Sequence, residues 1–318
     1  MKRNIFALFL SILAGCFISC EKDIEFNGNI SEPMLVLNSM LTPDSIVSVH
    51  LSQSRFILGE SKPMSPVANA TVSLFVNGES KELLVHDANG IYTGGYFPKP
   101  GDEITIDVQA DGYDQVKSRT VIPRKPNVTV NDSTVTITED EYNSSMPENS
   151  VYKITRQNMQ VQLQLTDAAD EENYYYIKAT RNYYRDGERL TSWAVEIKLS
   201  EVLKNNMAGS GFIFEELFDD GGDMGRTDNL FSDLLVNGKD ILFDFSFYDT
   251  LETGTYVNGE KIDGENGQEE EVTVEYIIEI AEISKDLYQY VISGNKAANA
   301  KDYGPFTEPV QVHTNIEN

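Results

Sequence analysis

The chain has 318 residues, with 25 Lys plus Arg against 51 Asp plus Glu, a formal charge of -26. Such a surface repels phosphate backbones, which excludes nucleic-acid binding, and it offers no basic face to anionic headgroups. Hydrophobic residues make up 40% of the chain and aromatic ones 10%, too much for disorder, and the length allows two domains.

Lys2 and Arg3 form a short basic region. Residues 5–19 then form an apolar segment of secretory-signal length, too short to span a bilayer comfortably. Residues 1–19 are therefore predicted to be a signal peptide. The chain's only two cysteines, Cys16 and Cys20, close this segment. A thiol at that point, after small residues, is what a bacterial signal peptidase needs to leave a diacylated cysteine as the new N-terminus. LAGC, ending at Cys16, is the better general lipobox. FISC, ending at Cys20, is followed by Glu21, Lys22 and Asp23, and this acidic stretch resembles the surface-export signal of Bacteroidetes lipoproteins. Cys20 is the preferred lipidation site and Cys16 the alternative, ahead of a plain secreted protein or a Cys16–Cys20 disulfide. With Cys20 as the first mature residue no other cysteine remains, so the mature fold has neither a disulfide nor a thiolate metal site. Attachment falls to the acyl chains, palmitate among them.

Residues 20–31 read as a polar tether. Beyond them, runs rich in Val, Ile, Leu and Thr at 34–41, 46–51, 70–76, 81–85, 91–96 and 103–110 alternate with turn residues, the pattern of an antiparallel sandwich. Thr42-Pro43-Asp44, Asn77-Gly78, Asn89-Gly90 and Pro100-Gly101-Asp102 supply the turns. The prediction is a mainly β protein whose N-terminal domain, 32–123, is an immunoglobulin-like or transthyretin-like β-sandwich. It closes at Val121-Ile122, because Pro123-Arg124-Lys125-Pro126 cannot continue a central strand.

A second β-rich domain, 127–318, is expected to be a barrel or another sandwich with one or two short helices. Residues 158–166 (NMQVQLQLT) alternate as a half-buried strand does. Residues 174–184 and 192–199 form a predicted hairpin turning at Arg185-Asp186-Gly187-Glu188, and 239–248 and 271–283 are the strongest remaining strands. One helix is expected over 199–205. Another opens at Ser284, with Asp286 in its first turn, and runs to about Ser293.

Chemistry-bearing motifs are scarce. His50, His86 and His313 lie on separate segments, and the chain contains no HExxH, G-x-S-x-G, GxGxxG or GK[ST]. Gly209-Ser210-Gly211 reads as a flexible turn. The acidic loop from Asp219 to Asp228 is a candidate Ca²⁺ site through Asp219, Asp220, Asp223 and Asp228, set against a plain solvated loop. It departs from the EF-hand order, since Met224 stands at the sixth position, where glycine is required. The like-charge run at 263–271 reads as a solvated turn. Tyr174, Tyr175, Tyr176, Tyr183 and Tyr184 share one strand, so alternate rings face opposite sides. One side is core, and the other is packed or a stacking surface, with Trp193 placed to meet these rings across the hairpin.

Several stretches together carry a resemblance: CEKD after the lipobox, Ala70, Val72 and Leu74 in A-x-V-x-L, Gly90 and Tyr92 in G-x-Y, and P-K-P-G-D from Pro98 to Asp102. Two more lie near the end, ISKDLYQYVIS at 283–293 and GPFTEPVQVHTNIEN at 304–318. The chain resembles Bacteroidetes lipoproteins catalogued as domain of unknown function 4249. Members of that family continue beyond the Asn-Ile motif with a glycine-rich, aromatic stretch, so the second domain is expected to be truncated at Asn318 or to lack a last strand. The resemblance carries no catalytic residues. It implies a surface-exposed outer-membrane lipoprotein, not an enzyme, that binds ligand for or caps a TonB-dependent transporter. A stand-alone adhesin or glycan-binding lipoprotein is the alternative.

Overall fold

The computed structural model describes residues 32–55, 63–144, 149–169, 171–199, 229–235, 237–262, 272–300 and 310–317. Cys16, Cys20, Glu21, Lys22, Asp23, Asp219, Asp220, Asp223, Asp228 and the run at 263–271 lie outside the described residues, as does the expected helix at 199–205 beyond Leu199. In chain order the described elements are β1 (Leu35–Asn38), β2 (Ser48–Gln53), β3 (Ala70–Val76), β4 (Glu79–His86), β5 (Ile91–Thr93), β6 (Glu103–Ala110), β7 (Val116–Val121), β8 (Asn127–Ser144), β9 (Ser150–Thr166), β10 (Tyr174–Arg185), β11 (Glu188–Val195), β12 (Leu230–Ser232), β13 (Asp240–Val257), β14 (Glu260–Lys261), β15 (Val272–Ile283), α1 (Lys285–Ala300) and β16 (Ile316–Glu317). The protein is mainly β. No described helix is long and apolar enough to cross a membrane.

The two layers predicted for the N-terminal part are one sheet of eight strands in the order β1-β2-β5-β4-β3-β6-β7-β16, folded over until it is nearly a closed barrel. The fold runs through β4. Glu79, Ser80, Glu82, Leu83 and Leu84 pair with β3 around a bulge at Lys81, whereas Val85 and His86 pair with β5. Glu82 ties this corner by accepting from Gly95 N at 3.0 Å and Tyr96 N at 2.9 Å. Alternation then buries Leu35, Leu37, Val49 and Leu51 from one layer against Val72, Leu74, Ile106 and Val108 from the other. The predicted turns supply the positive φ they require, with Asn77 and Gly78 at 53° and 81° and Asn89 and Gly90 at 51° and 76°.

Two further sheets form the second layer pair. One has the order β14-β13-β9-β8. The other is built on β10, which pairs along its whole length with β15 and on its far edge with β11 and β12. The predicted hairpin turns at Asp186 and Gly187, with φ of 48° and 82°. Val161, Leu163, Leu165, Ile241, Phe243, Phe245 and Phe247 pack against Tyr175, Ile177 and Ala179 across the gap. Phe243 has no exposed surface, and burying such a ring contributes about 1.5–3 kcal/mol. Past Met159, strands β8, β9 and β13 run on beyond this core as an arm. No strand is expected from the sequence over 127–157, because the bulge at Asn131 breaks the period of two between Val130 and Val135.

Ser284 Oγ accepts from Leu287 N at 3.2 Å and caps α1 as expected. The helix continues to Ala300 rather than ending near Ser293, because Gly294 is followed by the helix formers Lys296, Ala297 and Ala298. The tail, grouped with the second domain in the sequence reading, returns to the first. Ile316 pairs with Ser118, Asn315 Nδ2 donates to Arg119 O at 3.0 Å, and Ile316 packs on the first core.

Candidate functional site: a polar knot at the open end of the second sandwich

Inward-facing positions of β13 read Ile241, Phe243, Phe245, Phe247 and then Asp249, while those of β10 read Tyr175, Ile177, Ala179 and then Arg181 and Tyr183. Both strands leave the core at the same level, and they do so with opposite charges. Arg181 Nη1 donates to Asp249 Oδ1 at 3.0 Å, Tyr183 OH donates to the same oxygen at 2.6 Å, and the Tyr276 hydroxyl of β15 donates to Oδ2. The Asp249 side chain is fully buried, whereas 28% of the Arg181 side chain remains exposed. Three donors from two strands of the opposite sheet compensate the cost of burying the carboxylate.

Aromatic rings frame the guanidinium, which lies 5.2 Å from the Tyr183 ring and 5.7 Å from that of Trp193. Tyr183 and Trp193 meet edge-on at 5.7 Å, the cross-hairpin contact expected from the sequence. Phe247 stacks on Tyr276 at 4.1 Å and joins the knot to the core. Burial, and then the bond to Asp249, push the Tyr183 phenol up to about 12. The Tyr276 phenol is raised by the same causes in the same order. Both phenols are therefore neutral donors at physiological pH.

Register places Tyr276, Arg181 and Trp193 in one cross-strand row, and Asp249, Gln157 and Ile137 in the facing row. The Asp249 bonds close the β13–β15 side of this mouth. The β8–β11 side stays open, with Trp193 54% and Ile137 61% exposed.

Other candidate groups fall elsewhere. Tyr175 is core, stacked on Phe231 at 5.1 Å, while on the outer face Tyr174 meets Tyr288 of α1 at 4.8 Å and Tyr184 OH donates to Glu275 at 2.8 Å. Tyr174 and Tyr184 are thus engaged on the outer face, while the inward row carries Tyr183 and the exposed Trp193. His86 sits 5.1 Å from the Tyr92 ring, His313 Nε2 lies 2.9 Å from Asp286 Oδ1, and His50 is on a different strand from either. Among the described residues no three His, Cys, Asp or Glu side chains are placed to hold a metal ion. The knot itself was missed in the sequence, though the series F-F-F-D on β13 and Y-I-A-R on β10 carried its signal.

A family model described as Domain of unknown function (DUF4249) matches residues 21–318. The chain belongs to this family. No curated protein matches it. Those motifs of this DUF4249 chain that fall within the described residues hold the fold together. Val72 and Leu74 are core, and Tyr92 OH donates to Val67 O at 3.1 Å across the first barrel. Asp102 locks the P-K-P-G-D loop by accepting from Tyr96 OH at 2.6 Å and Lys99 N at 2.8 Å. Within the ISKDLYQYVIS stretch Ser284 caps α1, and Asn315-Ile316 docks the tail.

Proposed function

We propose that the protein is a non-catalytic, surface-exposed outer-membrane lipoprotein of Bacteroidetes, anchored by acyl chains on Cys20, that binds ligand for or caps a TonB-dependent transporter in nutrient uptake. The observation that supports a binding role is the knot around Asp249. It fixes Arg181 and Trp193 at an open edge, where a rigid cation and an exposed indole can meet a partner surface. The test is purification in mild detergent from native membranes. An outer-membrane barrel that co-purifies supports the reading, and recovery only as a free monomer across growth conditions refutes it. The anchor is tested separately: Cys20→Ala releases the protein from the membrane fraction or leaves it unprocessed, while Cys16→Ala changes little. The reverse result assigns the acyl chains to Cys16. Neutralising Glu21 and Asp23 together strands the protein on the periplasmic side, read as lost protease accessibility in intact cells.

A second reading, a stand-alone adhesin or glycan-binding lipoprotein, is favoured by the exposed Trp193 ring beside Arg181, since an open indole face stacks on sugars. Glycan binding in the absence of any barrel, lost in Trp193→Ala, discriminates it.

A further inference from the structure

Strand β8 is the outer strand of its sheet, and among the described residues no strand pairs with its free edge. Its sequence, NVTVNDSTVTITEDEYNS, alternates. A register shift between Val130 and Asp132 keeps the apolar positions on one face on both sides of the break: Val128 and Val130 lie opposite Leu165 and Leu163, and Val135 and Ile137 opposite Met159 and Gln157. All four point to the side of the core, and Thr129, Thr134, Thr136 and Thr138 point away from it. An alternating strand of this kind has a face made for burial. Only its beginning is covered, for Val128 packs on the core whereas Val130, Val135 and Ile137 are 66%, 53% and 61% exposed. On this side the opposite sheet ends at its own edge strand, β11.

From this face and this edge together we infer that β8 is a strand-addition site, and that its occupant is an extended, basic segment of a partner protein. The edge specifies an extended backbone, because only another strand satisfies a row of free N–H and C=O groups. Val130, Val135 and Ile137 specify apolar side chains at alternate positions of that strand. Charge specifies the rest. β8 carries Asp132, Glu139, Asp140 and Glu141, and the two cations of β9 are engaged, Lys153 with Glu139 at 3.0 Å and Glu141 at 2.6 Å and Arg156 with Asp140. A Lys- or Arg-bearing strand complements the surplus, whereas a second copy would bring together two chains of charge -26. The inference rests on the partner-binding reading and names where and how the partner attaches.

The probe is a capped peptide in which valine alternates with lysine, with a scrambled peptide of the same composition as control, titrated by calorimetry at physiological salt. The alternating peptide is expected to bind saturably, the scrambled one at least about tenfold more weakly, and hydrogen exchange is expected to slow selectively at residues 127–144. A Val135→Thr/Ile137→Thr double variant, which keeps β propensity, is expected to weaken binding by at least about tenfold. The inference is overturned by no saturable binding, by equal binding of the scrambled peptide, or by binding that leaves exchange at 127–144 unchanged. A dimer of the protein alone that the double variant dissolves overturns the basic-partner assignment in favour of self-pairing. Repeating the barrel co-purification with the double variant separates the two proposals, since a barrel retained by it overturns the β8 assignment alone.

Discussion

Replacing Asp249 by alanine removes the acceptor that holds two sheets together at the mouth of the second sandwich. Breaking one partner of a fully buried ion pair costs about 3–5 kcal/mol. Arg181 is 28% exposed and regains part of its hydration when stranded, which places its share at or below the lower end of that range. The Tyr183 and Tyr276 hydroxyls each lose an acceptor as well, about 1 kcal/mol apiece once water enters. A net loss of about 3–4 kcal/mol is expected, which for a unit of this size lowers the melting temperature by roughly 6–16 °C. Differential scanning calorimetry and urea unfolding measure it. Trp193, the chain's only tryptophan, reports the same site through its emission because it lies 5.7 Å from both Tyr183 and the Arg181 guanidinium. Adding Arg181→Met to Asp249→Ala should restore part of the loss, since the stranded cation is removed with its partner. A loss below about 1 kcal/mol with unchanged Trp193 emission would refute the reasoning, because it would mean that the buried pair is not what closes the mouth.

Alkaline stability follows from the phenols: Tyr183 is raised from an ordinary 10.0 to about 12, so its contribution is fully present below pH 10 and is lost as pH rises through about 12. Tyr183→Phe should flatten that part of the unfolding curve, and ultraviolet difference titration of the folded protein follows the phenolate directly. Asp233, 1% exposed, has its carboxyl raised by burial, so the stability it contributes is present below its unfolded value and lost as pH rises through its folded one. Asp233→Asn should therefore raise the melting temperature at pH 7 and leave it unchanged below about pH 3.5, where both states of the wild type are protonated. Gly78 and Gly90 both have φ near +80°, but a Cβ at Gly78 meets nothing within 4 Å, whereas one at Gly90 would lie 2.3 Å from Leu51 O. Gly78→Ala should cost about 1 kcal/mol and Gly90→Ala at least about 3 kcal/mol, read by urea unfolding, since only the second displaces backbone.

The features legible in the sequence are those set by a residue and its near neighbours. β3 and β6 span the runs at 70–76 and 103–110, the Asn-Gly and Asp-Gly turns have their left-handed φ, and Ser284 caps a helix. Side-chain period, the φ tolerance of glycine and asparagine, and a hydroxyl three residues from a free N–H are all local quantities. The extent of β8 and β9 was not legible, because the bulge at Asn131 breaks the period of two between Val130 and Val135, and the stretch beyond Ile137 is mostly polar. Nor was the single folded-over sheet, which depends on β4 exchanging β3 for β5 at Val85. Asp249 and Arg181 are 68 positions apart, and Asn315 and Arg119 are 196 apart. Periodicity states which face of a strand is buried, but not which distant strand buries it. That choice is made by the shared cores and the pairing of edges, so the knot, the open β8 face and the returning tail exist only once the sheets have met.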